Sequence, residues 1–139
     1  MLDWRWDFTL DILPRLFVAT GNTLLAAGLG YAIAVVLGLV LALAQRTPSR
    51  AFTMVVREIV EFIRSTPLVL QIFFVFYVAP QFGIRLSPWT AGMIAIGLHY
   101  AAYLSEVYRG GLDSVPKGQW EAATSLNLST ARTYFRVII

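Results

Sequence analysis

Three stretches of this chain, residues 16–45, 65–84 and 86–105, contain no Asp, Glu, Lys or Arg. They hold 30, 20 and 20 residues, so 70 of 139 positions are free of charge and all 19 charged side chains share the other 69. Such segregation leaves few folds open. A bilayer core about 30 Å thick takes about 20 predominantly apolar residues at about 1.5 Å of helical rise each, and every stretch is long enough. Charged residues make up 14% of the chain, against roughly 25% in an average soluble domain. The fold class expected is all-α: a polytopic membrane helical bundle with three spanning helices, its apolar faces in contact with membrane lipid. A soluble single-domain enzyme is excluded.

The residue inventory removes further classes. There is no Cys, hence no disulfide and no thiolate chemistry. One His is too few for a histidine metal site, and no cofactor is expected. The basic residues are scattered and the net charge is only +3, so no nucleic-acid partner is expected.

Residues 1–15 mix Trp4, Trp6 and Phe8 with Asp and Arg, which suits either an extracytoplasmic, headgroup-level segment or a frayed polar terminus. The strongest span covers 24–44. There Gly30, Ala34, Gly38 and Ala42 recur at every fourth position and share one helix face, as small residues do where membrane helices approach closely. Thr47-Pro48 ends this helix. Over 48–64 the apolar residues Phe52, Val55, Val56, Ile59, Val60 and Ile63 approximate one face, predicting an amphipathic helix that lies in the interface or is partly inserted. Thr66 and Pro67 look like an N-cap and first helical position. Residues 67–79 then give about 20 Å of helix, short for a bilayer. Either the helix continues upstream through a kink, or it is broken at membrane depth, as spans lining a translocation pathway are. A third helix over 89–105 repeats the small-residue spacing at Gly97, Ala101 and Ser105 and is expected to stop at Gly110-Gly111.

Orientation follows from Lys and Arg. Arg46, Arg50, Arg57, Arg64, Arg109, Lys117, Arg132 and Arg136 fall on one side and Arg5, Arg15 and Arg85 on the other, which puts the N-terminus outside and the tail inside. In that tail Pro116 can start a short helix and Asn127 can end it in the left-handed conformation. A helix so short is marginal alone in water and is expected to dock on something.

The run Gln119-Trp120-Glu121-Ala122-Ala123, with Arg136-Val137-Ile138-Ile139 after it, resembles the EAA loop of permease subunits of ATP-binding-cassette importers. The polar amino-acid branch is the nearest. Gly21-Asn22-Thr23-Leu24, Arg64-Ser65-Thr66-Pro67-Leu68 and Glu106-Val107-Tyr108-Arg109-Gly110-Gly111 fit that branch in the right order, so the resemblance covers nearly the whole chain. Asn127 stands where the family usually has Gly. Such permeases also continue past the position of Ile139 into a Pro and two more spans, so the chain is expected to be C-terminally truncated. The resemblance implies a type I importer permease domain over 16–139, with the EAA coupling loop at 114–139, in a bacterial inner membrane. It further implies a second permease subunit, a solute-binding protein outside, and ATPase subunits inside. The chain has no GxxxxGK[ST] phosphate loop, which fits ATP being handled by a separate subunit; the chain itself is not expected to be an enzyme.

Gln119, Glu121, Ala122, Ala123 and Asn127 are then the expected ATPase-coupling residues, with Glu121 carrying the docking contact. Gln71, His99, Tyr100 and Tyr103, uncharged and polar at membrane depth, are the pathway candidates, with helix-bridging roles open for Gln71 and His99. Glu61, Arg64, Thr66, Pro67, Glu106 and Arg109 are expected to form a gate or structural pairs. A small channel or assembly subunit of another membrane complex would explain the spans but not the Glu121-Ala122-Ala123 tail.

Overall fold

The structure is a computed structural model that describes residues 5–138. Its helices are α1 (Trp6–Ala44), α2 (Arg50–Ser65), α3 (Leu68–Tyr77), α4 (Pro88–Asp113), α5 (Lys117–Ser125) and α6 (Thr130–Thr133). A 3-10 turn, Ala79–Phe82, follows α3, and a π-helical turn, Tyr134–Ile138, follows α6. No strand occurs among the described residues. Trp4 and Ile139, named above, lie outside them.

α1 begins at Trp6, ahead of the boundary expected near residue 15, and runs through Pro14 for 39 residues. Pro14 withdraws one helical hydrogen bond, a loss that membrane helices tolerate, so the chain does not break there. Among the described residues α1 is the one helix long and apolar enough to cross a membrane unaided. α2 and the segment through Phe82 meet the same test only together, as a pair bent by 102°. α4, with 26 residues, is about 39 Å long.

The small-residue faces meet as expected. Gly30, Ala34, Gly38 and Ala42 are the buried residues of α1, and Gly97, Ala101 and Ser105 are buried on α4. A methyl group built at Gly30 would lie 2.8 Å from Ile96, and one at Gly38 2.9 Å from Leu104. Position numbers rise together along this seam, so α1 and α4 run parallel and end on the same side. Outward-facing residues such as Leu24, Val36 and Val40 stay exposed, which is the lipid-compatible arrangement. A compact cluster of Val56, Val60 and Ala102, with Leu41, Ala44 and Ile63 against it, seats α2 on the end of that pair. Val56 and Val60 carry the burial of the amphipathic face, while Phe52, Val55 and Ile59 remain exposed.

Two expected boundaries shift. Thr66 does not cap α3: its backbone is extended, it closes α2, and its hydroxyl donates back to the Phe62 carbonyl at 2.7 Å. The residue before a proline avoids helical geometry, so Thr66 belongs to the break and Pro67 becomes the N-cap of α3. Gly110-Gly111 does not stop the third helix, which continues to Asp113. Arg109 bonds Asp113 one turn on, at 3.0 Å, and Arg46 at the end of α1 holds the same carboxylate. Both glycines stay helical despite a cost of about 1 kcal/mol per residue, and the two arginines tie down the last residue of the turn they belong to. The start of α4 is capped conventionally, by the Ser87 hydroxyl accepting from the Thr90 N–H at 3.1 Å ahead of Pro88.

Candidate functional site

The break between α2 and α3 frees backbone carbonyls inside a helical bundle, and polar side chains answer them. Gln71 Nε2 donates to the carbonyls of Ile63 at 2.8 Å and Thr66 at 3.0 Å. The Tyr103 hydroxyl donates to the Arg64 carbonyl at 3.1 Å. Gln71 Nε2 also lies 3.1 Å from Nδ1 of the buried His99. The amide nitrogen has only two hydrogens for these three acceptors, so one is shared, and Nδ1 can accept it only in the Nε2–H tautomer of His99. Tyr100 packs edge-to-face on His99, and Tyr103 lies 5.0 Å from it, ring centroid to centroid. The four expected pathway residues therefore form one cluster, but the polar groups of Gln71 and Tyr103 are committed to the broken backbone.

Toward the shared end of α1 and α4 the cluster gives way to a cleft of about 340 Å³, lined by Gln45, Arg57, Glu58, Val60, Glu61, Arg64, Glu106 and Arg109. Four of its six charges form pairs: Arg64 with Glu61 at 3.1 Å, and Arg109 with Glu106 at 2.7 Å. The Arg64 guanidinium lies over the Tyr103 ring, 5.3 Å from its centroid. Its Nε is buried with no hydrogen-bond partner among the described residues. Glu106 stands just past the charge-free stretch. The hydrogen bond from Arg109 holds its carboxyl below the usual glutamate range, against the opposing effect of burial. The four residues expected as a charged gate or structural pairs thus line one cavity, while Thr66 and Pro67 shape the break above it.

The tail folds into a separate surface. α5 ends in a Schellman motif: the Leu128 N–H bonds the Ala123 carbonyl at 3.1 Å and the Asn127 N–H bonds that of Thr124 at 2.9 Å. Asn127 takes the left-handed position, at φ 51°. Ala123 is buried within the chain, whereas Gln119, Glu121 and Ala122 are exposed. Trp120 packs edge-to-face on Tyr134, and the guanidinium of Arg46 lies 5.6 Å from the centre of its indole. The same Arg46 bonds Asp113 at 2.7 Å. Gln45, Arg46, Arg57, Glu58 and Asp113 are absent from the sequence-based candidates. Their signal was position alone: Gln45 and Arg46 sit at the edge of a charge-free stretch, but nothing local marks Asp113, 67 positions on, as the partner of Arg46.

Known proteins share both the sequence and the fold of this chain. Residues 34–139 match the family described as binding-protein-dependent transport system inner membrane component, and the chain belongs to it. A probable amino-acid ABC transporter permease of Sinorhizobium fredii is 46% identical over 98% of this chain and 62% of the relative. The L-cystine transport system permease of Bacillus subtilis is 40% identical over 80% of this chain and 47% of its own length. The crystal structure of an amino acid ABC transporter with histidines superposes with a TM-score of 0.83 at 31% identity, covering 99% of this chain and 64% of that one. The chain thus spans about half to two thirds of the length of the proteins it matches.

Proposed function

We propose that this chain is the part of an importer permease subunit that forms the membrane pathway for polar amino acids or similar zwitterionic solutes. In this reading it works with a second permease subunit, an extracytoplasmic solute-binding protein and separate ATPase subunits in a bacterial inner membrane. The observation that carries it is the pairing, on one end of the bundle, of a charged cleft with an exposed Gln119-Glu121-Ala122 face on α5. A cleft with both arginines and glutamates suits a solute carrying both an ammonium and a carboxylate group. The amino-acid names of the relatives point the same way. α1, the α2–α3 pair and α4 would cross the membrane in turn, with the N-terminus outside, since eight Lys and Arg lie on the inner side against three on the outer. Gln71, His99 and Tyr103 would keep the break in shape, Tyr100 would face the pathway, and Glu61–Arg64 and Glu106–Arg109 would gate its inner end. Asn127 would present α5 at the angle in which Glu121 docks on the ATPase.

The test is uptake by the full-length permease with its ATPase and binding protein in proteoliposomes, using a radiolabelled mixture of amino acids. ATP-dependent accumulation is expected. In Glu121→Ala, ATPase association should weaken, with about 2–5 kcal/mol lost if the carboxylate meets a buried cationic partner. Normal assembly and uptake in that variant would leave Glu121 a solvated face residue, and no accumulation by the unaltered complex would overturn the transport reading itself.

A further inference from the structure

The exposed helix and the charged cleft are connected by an unbroken line of charged contacts. Arg46 lies over the indole of Trp120 on α5, 5.6 Å from its centroid, and bonds Oδ1 of Asp113 at 2.7 Å. The other carboxylate oxygen of Asp113 accepts from Arg109 at 3.0 Å. Arg109 in turn grips Glu106 through Nη2 at 2.7 Å and Nε at 3.2 Å, and both residues line the cleft that Arg64 enters. Asp113 is the last residue of α4, and Arg46 lies two positions beyond the end of α1, so the carboxylate bridges the ends of the two parallel helices. The guanidinium of Arg46 stands over the indole of α5 and bonds Asp113 at the same time, and its planar fork of donors has no counterpart in a lysine ammonium. Arg46 and Asp113 keep 29% and 50% of their side-chain surface exposed, and ion pairs that open add little stability. What the chain of contacts does is hold α5, α1 and α4 in one mutual orientation.

Resting on the importer reading above, we propose that Arg46 is a positioning residue that couples α5 to the cleft, so that a displacement of α5 reaches Glu106 through Asp113 and Arg109. An energetic pathway needs evidence of coupling and not adjacency alone, which sets the experiment. The full-length permease, assembled with its ATPase and binding protein in proteoliposomes, is supplied with ATP and a radiolabelled amino-acid mixture. ATP hydrolysed per amino acid imported is then measured. Arg46→Gln and Asp113→Asn should each raise that ratio about fivefold, the lower end of allosteric coupling, while ATPase subunits co-purify in normal amount. The double variant should be no worse than either single one, because both cut the same line. Arg46→Lys, which keeps the charge and loses the planar guanidinium, should fall between. An unchanged ratio in both single variants, or additive effects in the double one, overturns the relay. Loss of the ATPase from Arg46→Gln also overturns it, by making Arg46 a docking residue. If the unaltered complex imports nothing with ATP, the importer reading fails first and the relay with it.

Discussion

The seam between α1 and α4 makes a sharp demand on glycine. A Cβ added at Gly38 would stand 2.9 Å from Leu104 Cβ, 3.0 Å from the Ala101 carbonyl oxygen and 3.4 Å from the Ser105 amide nitrogen. Two of these three atoms are backbone, so no side-chain rotation relieves the clash and the helices must separate by several tenths of an ångström. Overpacking of this kind costs typically about 1–3 kcal/mol, set against about 1 kcal/mol gained when alanine replaces glycine in a helix. Gly38→Ala should therefore come out between neutral and about 2 kcal/mol destabilised. The control is internal: a Cβ at Gly110 or Gly111 meets nothing within 4 Å, and both lie inside α4. Gly110→Ala and Gly111→Ala should each gain up to about 1 kcal/mol. Thermal unfolding in one detergent, followed by tryptophan fluorescence, ranks the three against the unaltered chain. Gly38→Ala unfolding as late as Gly110→Ala would show that the close approach places no constraint on the seam.

Three other outcomes are expected. Gln71→Leu keeps the volume but strips the donors from the Ile63 and Thr66 carbonyls, and should cost about 1–3 kcal/mol for each group left unsatisfied; amide hydrogen exchange across the α2–α3 break would register it, and unchanged protection would mean that water replaces the side chain. Asn127→Gly should be neutral or slightly stabilising, and Asn127→Val destabilising by about 1–2 kcal/mol, because the position requires positive φ, with helix content in detergent as the measurement. Glu106 has a depressed folded-state pKa, so its contribution is complete above the unfolded-state value and is lost only as pH falls through the lower folded-state one. Acid unfolding of Glu106→Gln should lose that part of the pH dependence, and identical acid profiles for the two forms would remove Glu106 from the balance.

What the sequence discloses, and what it hides, divides along the range of the interaction. Small residues at every fourth position on two segments predict two helix faces, and the buried residues of α1 are those four. The Asn127 turn and the Thr66-Pro67 break are equally local, since backbone geometry acts on neighbours. The Thr66 cap fails for a local reason, the proline beside it, but the other errors arise where a local cue meets a distant contact. Gly110-Gly111 reads as a stop, yet α4 continues to Asp113, whose partner is an arginine 67 positions earlier. Gln71 and His99 stand 28 positions apart, and Tyr103 stands 39 from the Arg64 carbonyl it serves. Hydropathy marks all of these as polar at depth, but it carries no information on which of them meet. The distinction matters for function. A polar residue at depth reads as a solute contact until its partner is known, and here the partner of Gln71 and Tyr103 is the chain's own interrupted backbone. In the proposed reading, the groups left to meet a solute are the charged side chains that line the cleft, among them Glu61, Arg64, Glu106 and Arg109. The proposed solute site therefore centres on that cleft, which the Arg46–Asp113 line joins to α5.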